Sequence, residues 1–130
     1  NKRSKLEVIY PMTPKLKEYY FMEIFNKIIV KDYALIPYEI NPSNESILEL
    51  LKNLKKNSTK ILITYDSHIR KNERLLVNKV LEIDPNLIIV SIGLEYDIEI
   101  SLKIKNFIAA YAPNYISLRG AFEKLLNPVK

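Results

Sequence analysis

The chain has 130 residues with 48% hydrophobic and 27% charged content, enough for one buried core and too short for two ordinary domains. Twenty Lys and Arg against fifteen Asp and Glu give a net charge of +5, which permits contact with polyanions without requiring it. The absence of cysteine and the single His exclude a disulfide framework, a thiolate nucleophile, a sulfur-ligated zinc and a His-cluster metal site.

The apolar runs reach only about five residues and the start is Asn-Lys-Arg-Ser-Lys, so no membrane span or secretory segment is read. A soluble chain is expected, with a cytoplasmic setting favoured and no membrane partner. Asn1–Lys5 reads as a linker or leader, and Leu6–Tyr10, closed by Pro11, as the first strand. Thr13 followed by Pro14 signals a helix start, and Leu16, Tyr20, Phe21, Ile24, Phe25 and Ile28 recur at helical spacing. Ala34–Tyr38 reads as the second strand. Asn41-Pro42 repeats the cap-plus-proline signal, before an amphipathic helix through Ile47, Leu50, Leu51 and Leu54.

Lys60–Tyr65 is a continuous apolar run of the kind found in strands covered on both faces, and Asp66 and Ser67 end it. Asn72–Ile83 forms a third helix, stopped by Asp84-Pro85, and Leu87–Ile92 is the next buried strand. Ile98, Ile100, Leu102 and Ile104 alternate with Glu99, Ser101, Lys103 and Lys105, which by period reads as a half-buried edge strand, a short irregular helix being the other reading. Phe107–Ala110 is a further strand. After Asn114, the residues Leu118, Ala121, Phe122, Leu125 and Leu126 share one face of a closing helix.

Strands alternating with helices imply right-handed crossovers. The expected fold is α/β: a three-layer, doubly wound, flavodoxin-like domain over residues 6–130, with a mostly parallel sheet of five to six strands and helices on both faces. Ligands of such a sheet bind at the carboxyl ends of the strands. Those ends carry Pro11-Met12-Thr13, Tyr38-Glu39, Tyr65-Asp66-Ser67-His68, Gly93 to Asp97, and Tyr111 to Asn114.

Only Gly93 and Gly120 are present, neither in the first strand-to-helix turn, which disfavours a phosphate-cradling loop and a nucleotide cofactor. The first strand ends in Tyr10-Pro11 and lacks the acidic pair with which a receiver domain binds magnesium. Ser67 beside His68 lacks the glycines of a nucleophile elbow, and His68 reads as a loop or helix-cap residue. Asp66 and Asp97 read as helix caps, or as a carboxylate pair facing across the crevice for a metal or for glycoside chemistry. Tyr65 and Tyr96 read as half-buried strand-end tyrosines, or as platforms for sugars. Lys52, Lys55, Lys56 and Lys60, with Arg70, Lys71 and Arg74, read as solvated helix faces, so no nucleic-acid partner is expected.

Three blocks in order carry a resemblance: Ser91-Ile-Gly-Leu-Glu-Tyr-Asp97, Phe107-Ile-Ala-Ala-Tyr111, and Ser117-Leu-Arg-Gly-Ala-Phe-Glu-Lys-Leu-Leu126. They resemble the C-terminal α/β domain of family 3 glycoside hydrolases, of the β-N-acetylglucosaminidase and β-glucosidase type. Members typically show a strand leading to Arg-Asn-Pro-Tyr-Asp, a strand ending Ala-Ala-Tyr, and a Ser-Leu-Arg-Ala-type helix. Thr64-Tyr-Asp-Ser67 and the helix through Leu75, Leu76 and Val80 extend the similarity, which spans residues 6 to 126. The family's Arg, Asn and Pro fall here on Gly93, Leu94 and Glu95, which removes a cation and an amide.

The resemblance implies a fragment of a larger two-domain enzyme, with retaining hydrolysis of β-N-acetylglucosaminides or β-glucosides performed on an N-terminal (β/α)8 barrel absent from this chain. Its expected partners are that barrel and a carbohydrate at the interdomain rim. The chain alone is then inactive: no catalytic residue, metal or cofactor is expected in it, and Tyr65, Asp66, Ser67, Glu95, Tyr96 and Asp97 are the ligand-facing candidates. The alternative is a stand-alone, non-enzymatic flavodoxin-like module that binds a small polar ligand in the same crevice.

Overall fold

The computed structural model describes residues 5–93 and 95–126, so all of the expected leader except Lys5 lies outside the described residues. Strands β1 (Leu6–Pro11), β2 (Tyr33–Tyr38), β3 (Thr59–Thr64), β4 (Ile88–Ser91) and β5 (Asn106–Ala109) alternate with helices α1 (Glu18–Lys27), α2 (Asn44–Lys52), α3 (Lys71–Ile83) and α4 (Tyr115–Leu126). Every strand pair is parallel and the order is β2-β1-β3-β4-β5, the flavodoxin-like three-layer arrangement expected, with five strands.

The sheet divides the core into two layers because successive side chains of a strand point to opposite faces. On one face Val8, Ile61, Ile63 and Val90 meet Phe21, Phe25 and Phe122 of α1 and α4. There the Phe25 and Phe122 rings pack edge to face, with centroids 5.1 Å apart. On the other face Ile9, Leu62 and Ile89 meet Ile47 and Leu50 of α2 and Leu76, Val77 and Val80 of α3. All of β1 is buried, which is why it reads as an apolar run interrupted only by Glu7.

Three local expectations change. Thr13-Pro14 opens a turn, in which Leu16 N–H donates to Thr13 O at 3.0 Å, and α1 begins only after Lys17. The cap of α2 is Ser43, whose hydroxyl accepts from Ser46 N–H at 3.1 Å, while Asn41 takes a left-handed φ of 50° in the loop before it. No strand forms over 98–105. A 3-10 helix, Glu95–Ile100, runs there instead, followed by a turn. Ile100 and Ile104 pack on the α3 layer while Ile98 is 47% and Leu102 106% exposed, so the alternation does not correspond to a buried face.

Lys60 also departs from its expected solvated role. It is 1% exposed, and its Nζ lies 3.5 Å from Oε1 of Glu7, itself 2% exposed. Lys60 Nζ donates to Lys55 O at 2.5 Å and Ser58 Oγ at 3.0 Å, while Glu7 accepts from Ser58 Oγ–H at 2.5 Å and Lys55 N–H at 3.0 Å. This knot pins the α2–β3 connection to the amino end of the sheet. Among the described residues, no helix is long and apolar enough to cross a membrane.

Candidate functional site

Parallel strands direct all five of their carboxyl ends to one rim, and the buried polar side chains there sit between β3 and β4. Thr64 ends β3 and Ser91 ends β4, and both are wholly buried. The chain leaves β3 through Tyr65 and turns at Asp66, whose φ of 52° is left-handed, into a 3-10 turn, Ser67–Ile69. It leaves β4 through Gly93. A Cβ on Gly93 would sit 2.3 Å from Oδ1 of Asp66, so the Asp66 carboxylate occupies the space of any larger side chain. The long cation that the family pattern has at this position therefore could not be accommodated without moving Asp66.

Asp97 and His68 form the first cluster. Oδ1 of the fully buried Asp97 accepts His68 N–H at 2.8 Å and lies 2.7 Å from His68 Nδ1, while Ser91 Oγ–H donates to Oδ2 at 3.4 Å. A carboxylate on Nδ1 favours the tautomer that leaves Nε2 as acceptor in the neutral ring. The His68 side chain is 27% exposed and its ring centroid stands 5.7 Å from that of the half-exposed Tyr96. Asp97 thus holds the backbone and ring of another loop at His68.

Glu73 forms the second cluster. Almost fully buried on α3, it accepts from Ser67 Oγ–H at 2.6 Å, Asn41 N–H at 2.6 Å and Arg70 Nε at 2.8 Å, and Arg70 also donates to Tyr65 O. Arg74 donates to His68 O at 2.8 Å. Arg70 and Arg74, expected on a solvated face, are therefore committed to the rim's backbone. Tyr38 donates from its buried hydroxyl to Ile63 O at 2.8 Å; burial first, and the Glu73 carboxylate second, push its pKa well above the ordinary tyrosine value.

Of the six ligand-facing candidates, Ser67 and Asp97 are buried and bonded within the chain. Tyr65 and Asp66 are half-buried, and Glu95 and Tyr96 are exposed on the rim. Lys15 Nζ reaches Tyr65 Oη at 3.4 Å. The sequence does not single out Glu73, and it reads His68 as a loop or helix-cap residue; His68 bonds to Asp97 twenty-nine positions on, and Glu73 to Asn41 thirty-two positions back as well as to nearby Ser67 and Arg70. Among the described residues, no three His, Asp or Glu side chains converge as a metal ion would need.

No protein-family model matches the sequence, and no curated protein matches it. Solved structures do. A glycoside hydrolase family 3 β-N-acetylglucosaminidase from Paenibacillus sp. str. FPU-7 superposes with a TM-score of 0.78 at 17% identity, over 98% of this chain and 26% of its own. A fungal multi-domain family 3 β-N-acetylglucosaminidase, described as having a GCN5-related glucosamine N-acetyltransferase region, gives 0.76 at 13% identity, over 98% of this chain and 14% of its own. At these identities the likeness is one of fold, and the chain has the flavodoxin-like α/β fold of a domain within glycoside hydrolase family 3 β-N-acetylglucosaminidases.

Proposed function

We propose that this chain is the accessory α/β domain of a family 3 glycoside hydrolase-like protein, in which retaining hydrolysis of β-N-acetylglucosaminides or β-glucosides belongs to a (β/α)8 barrel elsewhere in a longer polypeptide. The observation that carries this reading is that one fold accounts for 98% of the chain but only 26% and 14% of its structural neighbours. The sequence blocks behind the resemblance support it independently, since they fall in order on β4 with its following loop, on β5, and on α4.

The rim supports it as well. Met12, Ile40, Ile69, Tyr96 and Tyr111 are each 40% or more exposed, with at least one such residue after each strand, a distribution suited to a surface covered by another domain. Beside these, Tyr65, Asp66, Glu95 and Tyr96 are the side chains that a carbohydrate at the interdomain rim would meet, with Asp97 and Ser67 holding their loops.

The test is the mass of the native polypeptide, detected with an antibody raised to this domain, together with its activity. A band of about 50–60 kDa, a barrel plus this domain, is expected, active on p-nitrophenyl β-N-acetylglucosaminide or β-glucoside, while the 130-residue chain alone releases no nitrophenol. A native band near the chain's own 15.2 kDa would overturn the reading in favour of a stand-alone binding module.

A further inference from the structure

One of the two edge strands of the sheet is β2, and its backbone polarity can be read from its neighbour. Leu6 N–H donates to Asp32 O and Met12 N–H to Tyr38 O, with Leu6 in register with Tyr33. In a parallel ladder, alternate residues turn their backbone groups to the same neighbour. The even-numbered residues of β2 therefore face β1, and Tyr33, Leu35 and Pro37 turn theirs to the open side. Pro37 sits where its missing N–H costs the intrachain ladder nothing.

An apolar depression flanks each face of this edge. On the α2 side one of about 390 Å³ is lined by Ile36, Tyr38, Ile47 and Leu50. On the α1 side another of about 600 Å³ is lined by Tyr19, Met22, Val30 and Tyr33, with Tyr19 and Met22 each more than half exposed. Just beyond the strand's two ends stand Lys31 and Glu39, both exposed and without an ion-pair partner among the described residues.

We propose that β2 pairs antiparallel with β2 of a second copy of this chain, about a two-fold axis through Leu35. In that register the two Leu35 residues exchange N–H to carbonyl bonds, and each Tyr33 N–H donates to the Pro37 carbonyl of the other copy. Lys31 of each copy, two residues before its strand, falls in register opposite Glu39 of the other, one residue after its strand. The surface is thus self-complementary in charge as a two-fold contact requires. Centring the axis on Pro37 would place two residues without N–H at its middle, and centring it on Tyr33 would carry Glu39 past Lys31 into α1. The exposed Tyr19 and Met22 are then covered by α1 of the second copy. This contact leaves the carboxyl-end rim free and does not rest on the glycosidase reading.

The chain has no cysteine, so any disulfide in a single-cysteine variant joins two copies. Directly opposed residues of a hydrogen-bonded antiparallel pair have Cα atoms about 5.5 Å apart, within disulfide range. Leu35→Cys is expected to oxidise to a species of twice the 15.2 kDa chain mass, whereas Ile116→Cys, 81% exposed but remote from the edge, does not at the same concentration. In sedimentation, Glu39→Lys weakens the dimer by about tenfold or more and Lys31→Glu added to it restores the dimer. Both are surface exchanges, so a loss of dimer with unchanged circular dichroism is not a folding defect. A chain that stays monomeric up to about 1 mM, or a dimer that Glu39→Lys leaves intact, overturns the proposal.

Discussion

At the amino end of the sheet Glu7 and Lys60 are buried, paired with each other and hydrogen-bonded to Ser58 and to the Lys55 backbone, whereas at the carboxyl end the buried Asp97 accepts its hydrogen bonds from a histidine that solvent reaches. Both regions take carboxylates out of water, which is costly unless partners are supplied. The first is closed, and its partners all lie in β1, β3 and the turn between α2 and β3. The second spans the loops after β3 and β4 and ends at exposed Tyr96, and near it Thr64 Oγ1 is buried with no hydrogen-bond partner among the described residues. One end holds the central strands together; the other fixes the shape of a surface.

The amino-end knot provides the sharpest way to break this contrast. Glu7→Gln leaves the Lys60 ammonium buried without a counter-charge between two central strands. The expected loss of stability is about 3–5 kcal/mol in urea unfolding, spread over the whole domain. Replacing both residues, as Glu7→Leu with Lys60→Met, is expected to recover most of it. A cost below about 1 kcal/mol for Glu7→Gln would mean that the pair is solvated in solution.

At the carboxyl end the expected effect is smaller and more local. Asp97→Asn keeps the acceptor for His68 N–H and removes the charge behind it, a loss of about 1.5–3 kcal/mol. Amide exchange should accelerate first around His68 and Ile69, with β1 and β3 protected as before. If β1 and β3 exchange faster to the same degree, the two ends form one cooperative unit and the contrast fails.

Most of the topology was legible because a parallel sheet covered on both faces needs unbroken apolar runs, and Leu6–Tyr10, Lys60–Tyr65 and Leu87–Ile92 supply them a helix apart. The buried charges were not, because their partners are non-local: Glu7 meets Ser58 and Lys60, and His68 meets Asp97 twenty-nine positions away. Glu7 did carry a signal. A carboxylate inside a strand that must be covered on both faces requires a buried cation or donor, and Lys60 opens the adjacent strand. Segment 98–105 misled because four apolar residues at alternate positions fit a strand and also fit a 3-10 helix and turn with two of them turned outward.

The smallest expected effect belongs to Tyr38, beneath the carboxyl-end clusters. Its hydroxyl is buried and bonded to Ile63 O, and burial followed by the Glu73 carboxylate raises its pKa well above 10.0. The folded chain therefore keeps this proton at pH values where the unfolded chain releases it. The stabilisation is complete below the unfolded value of about 10 and is lost as pH rises from there through the higher folded value. Tyr38→Phe should cost about 1 kcal/mol at neutral pH and flatten the fall in stability above pH 10 relative to the parent. Tyr10, raised in the same direction by burial and then by Glu18, remains in both proteins, so the difference between their urea midpoints isolates Tyr38. Identical alkaline slopes would show that Tyr38 ionises freely, and so that the carboxyl end admits water to a depth at which the amino-end knot does not.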